Sequence, residues 1–417
     1  MMDSLTLLSG ERSGVIRAPS SKSQAHRLLI CAALGESGCT VNCGEKSKDI
    51  EASAACLRAL CADVSELFSG IYRVTPAQRD GDAFLPCGES GSTLRFLLPV
   101  CGALGKSAVF KMEGRLPERP LYPLDGLLCA HGMSIERRGD ELHVSGKLES
   151  GVFEIAGDVS SQFISGLLFA LPLLDGDSKI IVTGKTESRA YIEMSENALR
   201  LSGIRFEKED STYTVFGAQK YALPDGVGAE GDYSNGAFFL CMGALSEEGV
   251  RVLNLPEASL QGDKKIVDIL RRFGADVTVR RNEVIVRKGT LRGIEIDASD
   301  IPDLVPVLAV TACAAKGETR IYNAARLRLK ESDRLTATAE LIKNLGGDIS
   351  ELPDGLVIRG AALRGGTVSS YNDHRIAMSA AVAACICRGS VTVQSPDCVQ
   401  KSFPKFWESF DALEAKA

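Results

Sequence analysis

The chain has 417 residues, 45% hydrophobic and 24% charged, with a formal net charge of −6, which provides for more than one packed core and excludes a disordered chain. The acidic balance and the lack of any basic run exclude a general nucleic-acid binder. The thirteen cysteines are odd in number, mostly inside apolar segments and never spaced CxxC, and the four histidines form no metal-ligand pair; they read as small buried hydrophobes in a reducing compartment, with no metal site.

In chain order, Asp3 and Glu11 flank an apolar stretch too short for a signal peptide. No later apolar run reaches the ~20 residues that span a bilayer, so a cytoplasmic protein is expected. A phrase then recurs about every 70 residues, a period longer than that of solenoid repeats. Small polar residues open an apolar helix, a Gly-containing turn stops it, and a β-branched strand follows. The copies open at Ser21-Lys22-Ser23, Ser90-Gly91-Ser92-Thr93, Ser160-Ser161-Gln162, Tyr233-Ser234-Asn235, Asp300-Ile301-Pro302-Asp303 and Asn372-Asp373-His374-Arg375. Between them, Leu127 to Val144, Ala198 to Val215, Ile266 to Val286 and Leu335 to Ile358 read as an amphipathic helix followed by a hairpin with polar turn residues. The unit is βαβαββ, six times over, with the last copy cut short near Leu413. Since one core rarely exceeds ~250–300 residues, six units divide best into two α/β domains of three.

Each apolar helix exposes unpaired N–H groups and partial positive charge at its start, a potential anion cradle. Lys22, Arg27, Arg95, Gln162, Asp303 and Arg375 lie within a turn or two of these starts. Capping alone accounts for Ser234 and Asn235; it does not account for charges embedded in apolar phrases. Gly102 to Ser107 only nearly matches a nucleotide-binding P-loop, because its first Gly would fall at Val100 and it ends a helix instead of opening one. Leu329 to Leu335, Tyr371 to Arg375 and Gln400 to Pro404 bring cations from three segments, which suits a small polyanion.

Ala18 to Ser23 with Arg27, Ser90 to Thr93 with Arg95, Gly157 to Gln162, Leu329 to Arg334 and Tyr371 to Arg375 together resemble the 5-enolpyruvylshikimate-3-phosphate synthases, over essentially the whole chain. That resemblance implies an inside-out α/β barrel architecture: two domains of three βαβαββ units, 19–228 and 1–18 with 229–417, the active site in the cleft between them. It implies transfer of the enolpyruvyl group of phosphoenolpyruvate to shikimate 3-phosphate, with inhibition by glyphosate. No cofactor motif occurs, so no cofactor is expected; no nucleic-acid or membrane partner is expected either, and the protein is expected to be a monomer. Lys22, Ser23, Arg27, Ser160, Ser161, Ser188, Tyr191, Asp303 and Lys330 would handle shikimate 3-phosphate, and Gln162 would lie between the substrates. Lys22, Gly91, Arg115, Arg334, Arg375 and Lys401 would hold phosphoenolpyruvate. The chain departs from many relatives at Glu89, at Arg189-Ala190 and in a longer loop from Asn323 to Arg326, which leaves that loop's substrate contact open between Asn323 and Arg326.

The chemistry needs a base and a proton donor. Asp303 is assigned as the base, and Glu331 and Lys22 are the candidates for delivering the proton. The related UDP-N-acetylglucosamine transferases typically carry a reactive loop cysteine; the corresponding Glu113 to Pro120 has none, which disfavours that alternative. Two chain crossings, near Ala18-Pro19 and Gly228 to Glu230, are expected to act as a hinge.

Overall fold

The computed structural model describes residues 2–416. The chain divides into two units, one inserted (Ser20–Ala229) and one flanking it (Met1–Pro19 with Glu230–Ala417). Among the described residues the strands form six open sheets, three in each unit.

The inserted unit holds α1 (Lys22–Ala33), α2 (Lys48–Leu60), α3 (Gly91–Ala103), α4 (Leu124–Ala130), α5 (Ser161–Ala170) and α6 (Arg189–Leu201). The flanking unit holds α7 (Tyr233–Ala244), α8 (Ile266–Phe273), α9 (Val305–Ala312), α10 (Arg334–Asn344), α11 (His374–Ala384) and α12 (Phe406–Asp411). Two classes of helix alternate, and the sequence says why. The apolar phrases give helices with no polar face: every residue of α7, α9 and α11 is buried, as is nearly all of α3 and α5. Such helices are stable only inside a core, where each large aliphatic side chain contributes ~1.5–3 kcal/mol. Accordingly α3 packs on α5, and α9 on both α7 and α11. The intervening helices are amphipathic; α6 exposes Arg200 and buries Ile192, Ala198 and Leu199.

One sheet pattern recurs. The strands on either side of a buried helix pair in parallel, as Ala83–Gly88 does with Ala108–Met112 around α3, and Val152–Ala156 with Ser178–Thr183 around α5. A hairpin then adds antiparallel, for example Met133–Arg138 with Glu141–Gly146. Gly249, at φ +80°, ends the α7 phrase where a Cβ would meet the Val286 carbonyl oxygen at 2.3 Å, so only glycine fits.

Chain ends and crossings complete the units that lack a strand. Val227–Gly228 supplies the parallel partner of Cys39–Asn42, and Glu11–Arg17 that of Val250–Leu253. The sixth copy, expected to be cut short, has no hairpin. Ser4–Leu7 takes its place, antiparallel to Val391–Gln394, while Glu414–Lys416 pairs with Glu11–Arg17. Among the described residues no helix is long and apolar enough to cross a membrane, and no group of three or more His, Cys, Asp or Glu side chains is placed to hold a metal ion.

Candidate active site

In the inserted unit, three helix starts carry the predicted residues. Ser21, Ser90 and Ser160 each cap a helix by accepting a backbone N–H, from Gln24, Thr93 and Gln162. Capping leaves the first N–H groups of each helix available to an anion. Lys22 opens α1 and is mostly buried, its Nζ 2.6 Å from Asp49 Oδ2 on α2. Asp49 escaped the sequence reading, where it is one acidic residue in a capped first turn.

Arg27 is buried and cross-ties two helices. Its Nη1 donates to the Ser23 carbonyl at 2.5 Å, its Nε to Ser195 Oγ at 2.8 Å, and its Nη2 to the Tyr191 carbonyl at 2.7 Å. Burial pulls its pKa down to about 10, and its guanidinium lies 5.0 Å from the centre of the Phe96 ring. Ser23 and Tyr191 are therefore joined through Arg27 by their carbonyls. Ser161 is buried at the start of α5. Ser188, also buried, precedes α6 in the left-handed region with φ 53° and makes no side-chain cap.

Gly91 starts α3, and a Cβ there would lie 2.8 Å from Arg119 Nη1 and 2.9 Å from Arg95 Nη1. Arg95 donates to Gln162 Oε1 at 2.8 Å, and Gln162 donates to Ser92 Oγ at 2.9 Å. This gathers Gly91, Arg95 and Gln162, and adds Arg119. Arg115, four residues earlier in the same loop, is 44% exposed and pairs with Glu118 at 3.4 Å. The Arg119 side chain has no hydrogen-bonding or acidic partner among the described residues, and its Nε is buried.

The flanking unit centres on Arg334, the first residue of α10 and 1% exposed. Its Nη1 donates to Asp303 Oδ1 at 2.7 Å, its Nη2 to Glu331 Oε2 at 2.6 Å, and its Nε to Asp373 Oδ2 at 2.7 Å. Arg375 Nη2 donates to Asp303 Oδ2 at 3.0 Å, and Lys330 Nζ stands 3.9 Å from Asp303 Oδ1. Burial pushes the Asp303 carboxyl up, but Arg375, Lys330 and Arg334 outweigh it and hold it well below the usual carboxylate range. Burial lowers Lys330 to about 8, with Asp303 opposing. Lys401 donates to the Asn372 carbonyl at 2.6 Å, in a loop where Tyr371 and Asn372 both have positive φ. In the Asn323 to Arg326 loop, Arg326 donates to the Ser299 carbonyl at 2.8 Å, and Asn323 has φ 58°.

Two carboxylates here went unread. Asp373 is fully buried; it caps α11 through the Arg375 N–H at 2.9 Å and accepts from Ser332 Oγ at 3.0 Å as well as from Arg334. Asp263, also buried, accepts a hydrogen bond from Ser234, and burial together with nearby Asp303 pushes it up to about 7. Ser234 and Asn235 are thus not the caps of α7. Asp232 is, accepting from the Asn235 N–H at 2.9 Å.

Residues 9–410 match the family model for EPSP synthase (3-phosphoshikimate 1-carboxyvinyltransferase). A 3-phosphoshikimate 1-carboxyvinyltransferase of Clostridium novyi is 40% identical, over 99% of this chain and 98% of its own; that of Clostridioides difficile is 37% identical over the same shares. EPSP synthase from Acinetobacter baumannii superposes with a TM-score of 0.82 at 24% identity, covering 99% of each chain. The enolpyruvyl transferase NikO from Streptomyces tendae superposes at 0.80 with 17% identity, over 99% of this chain and 98% of its own. These two structures establish the fold alone.

Proposed function

The chain belongs to the EPSP synthase family, and from that premise we propose how its residues transfer the enolpyruvyl group of phosphoenolpyruvate to the 5-hydroxyl of shikimate 3-phosphate. The reaction, a step of aromatic amino acid biosynthesis, releases phosphate. On our reading the inserted unit supplies the shikimate 3-phosphate contacts, through Lys22, Ser23, Ser160, Ser161, Gln162, Ser188 and Tyr191, with Arg27 bracing Ser23 and Tyr191. Phosphoenolpyruvate takes Lys22, the α3 start at Gly91, Arg334, Arg375 and Lys401. Arg119 replaces Arg115 in that set, since Arg119 lies against Gly91 and its side chain has no acidic partner among the described residues.

The observation that carries this reading is the grip of Arg334 and Arg375 on Asp303. Protein carboxylates pair with the cations that a carboxylate and a phosphate would claim. Asp303 is then too weak a base. When phosphoenolpyruvate takes over Arg334 and Arg375, their hold on Asp303 loosens and its proton affinity rises toward the working range. Asp303 removes the hydroxyl proton as oxygen bonds to C2. Glu331 or Lys22 delivers a proton to C3, giving a tetrahedral adduct; loss of a C3 proton then expels phosphate and restores the double bond. The cations stabilise charge on the departing phosphate.

We further propose a cytoplasmic monomer that needs no cofactor. Phosphate release measured with each substrate alone, with both together, and with UDP-N-acetylglucosamine in place of shikimate 3-phosphate tests the reading. Release should require both named substrates; release from phosphoenolpyruvate with the nucleotide sugar but not with shikimate 3-phosphate would overturn it.

A further inference from the structure

His26 takes no part in the chemistry above, yet it lies at the end of a buried chain that leads to the proposed anion site. It sits on α1, one turn beyond Lys22, with none of its surface exposed. Its Nδ1 is 2.7 Å from Ser53 Oγ on α2, which is 2.7 Å from Thr93 Oγ1 on α3; Thr93 in turn donates its hydroxyl to Ser90 Oγ at 2.7 Å. Ser90 Oγ also accepts the Thr93 backbone N–H at 3.3 Å. The chain ties together the helices that carry Lys22, Asp49 and Gly91.

A hydroxyl has one proton to give. Thr93 spends its proton on Ser90, so it accepts from Ser53; Ser53 therefore accepts from His26, which carries its proton on Nδ1. His26 Nε2 is buried and without a partner among the described residues, and an unfilled lone pair there costs less than an orphaned N–H. Burial, with Lys22 and Arg27, holds the imidazole well below its ordinary pKa, so it is neutral. At the far end Ser90 Oγ receives two donors, and its own proton has no acceptor among the described residues. The residue next to it is Gly91, with Arg119 Nη1 alongside.

We propose that His26 is a positioning residue that acts through Ser53 and Thr93, turning the Ser90 hydroxyl outward as a donor to the anionic group bound at Gly91. This rests on the placement of phosphoenolpyruvate at Gly91 given above. Long-range nitrogen NMR of the ligand-free full chain should find Nδ1 protonated and Nε2 bare, without change from about pH 6 to 8. Thr93→Val keeps the shape without the hydroxyl; it should raise KM for phosphoenolpyruvate ~5–20-fold and leave kcat and the KM for shikimate 3-phosphate within about threefold. His26→Leu should do the same, and His26→Asn, whose amide can donate from the place of Nδ1, should recover most of the loss. Thr93→Val and the NMR decide even if His26→Leu fails to fold. An imidazole protonated on Nε2, or a Thr93→Val enzyme with wild-type KM for phosphoenolpyruvate, overturns the proposal. If Gly91→Ala still weakens phosphoenolpyruvate in that case, the anion site stands and only the role of His26 falls.

Discussion

Asp303→Asn removes one negative charge and almost no volume, which isolates what the carboxylate does. Three cations share that charge: Arg334 at 2.7 Å, Arg375 at 3.0 Å and Lys330 at 3.9 Å. Two unit charges about 4 Å apart gain ~4 kcal/mol at an effective dielectric near 20, a ceiling for Lys330 because the arginines hold the same group. Burial lowers Lys330 to about 8 against the opposing pull of Asp303. Without that pull, and with Arg334 still beside it, its titration should drop further below the ordinary lysine range. Turnover should fall ~10²–10⁴-fold while shikimate 3-phosphate still binds, as expected for loss of a positioned base. Initial rates of phosphate release from about pH 6 to 9 give the catalytic loss, and nitrogen NMR of the lysine side chains follows Lys330 directly. Near-normal turnover would make Asp303 a structural counter-ion only, and an unmoved Lys330 would refute the electrostatic argument.

Gly91→Ala must displace Arg119 and Arg95, whose Nη1 atoms lie 2.8 and 2.9 Å from the new Cβ. Both are ends of flexible side chains, so the fold should survive; losing one charge-assisted hydrogen bond of ~1.5–3 kcal/mol should raise KM for phosphoenolpyruvate ~10–100-fold and weaken glyphosate. An unchanged KM would take Gly91 out of the pocket. Arg119→Ala should weaken phosphoenolpyruvate comparably. Arg115→Ala, which breaks only an exposed pair with Glu118 at 3.4 Å, should change KM and stability little; the reverse ranking would restore Arg115 to the site. Asp263 is raised to about 7 when folded and titrates near ~3.9 unfolded. Its contribution to stability is therefore full below ~4 and declines by at most about 1.4 kcal/mol per pH unit as pH rises toward 7. Asp303, held low, titrates below that window. Urea unfolding at pH values between about 5 and 7 should show the wild type losing stability relative to Asp263→Asn, which keeps an acceptor for Ser234; a gap independent of pH would exclude this titration.

The repeat, the alternation of wholly apolar and amphipathic helices, and the charges at the apolar helix starts are all legible in the amino-acid order. Each depends on residues within a turn or two, where hydrophobic period and capping chemistry act. Even there neighbours compete: Asp232 caps α7, while Ser234, an equally good cap by type, turns instead to Asp263. Which carboxylate answers which cation depends on long-range packing. Arg334 meets Asp373 across 39 residues, Asp303 meets Arg375 across 72, and Arg27 reaches Ser195 across 168. Nothing local marks Asp49, Asp263 or Asp373 as partners, because a buried charge is matched by whatever packing brings near it. Arg115 and Arg119 share one loop and one residue type; packing leaves the first exposed and sets the second against Gly91. The strands that complete the first, fourth and sixth units likewise come from distant chain segments, since an unpaired sheet edge is satisfied by backbone hydrogen bonds, which carry no sequence signature.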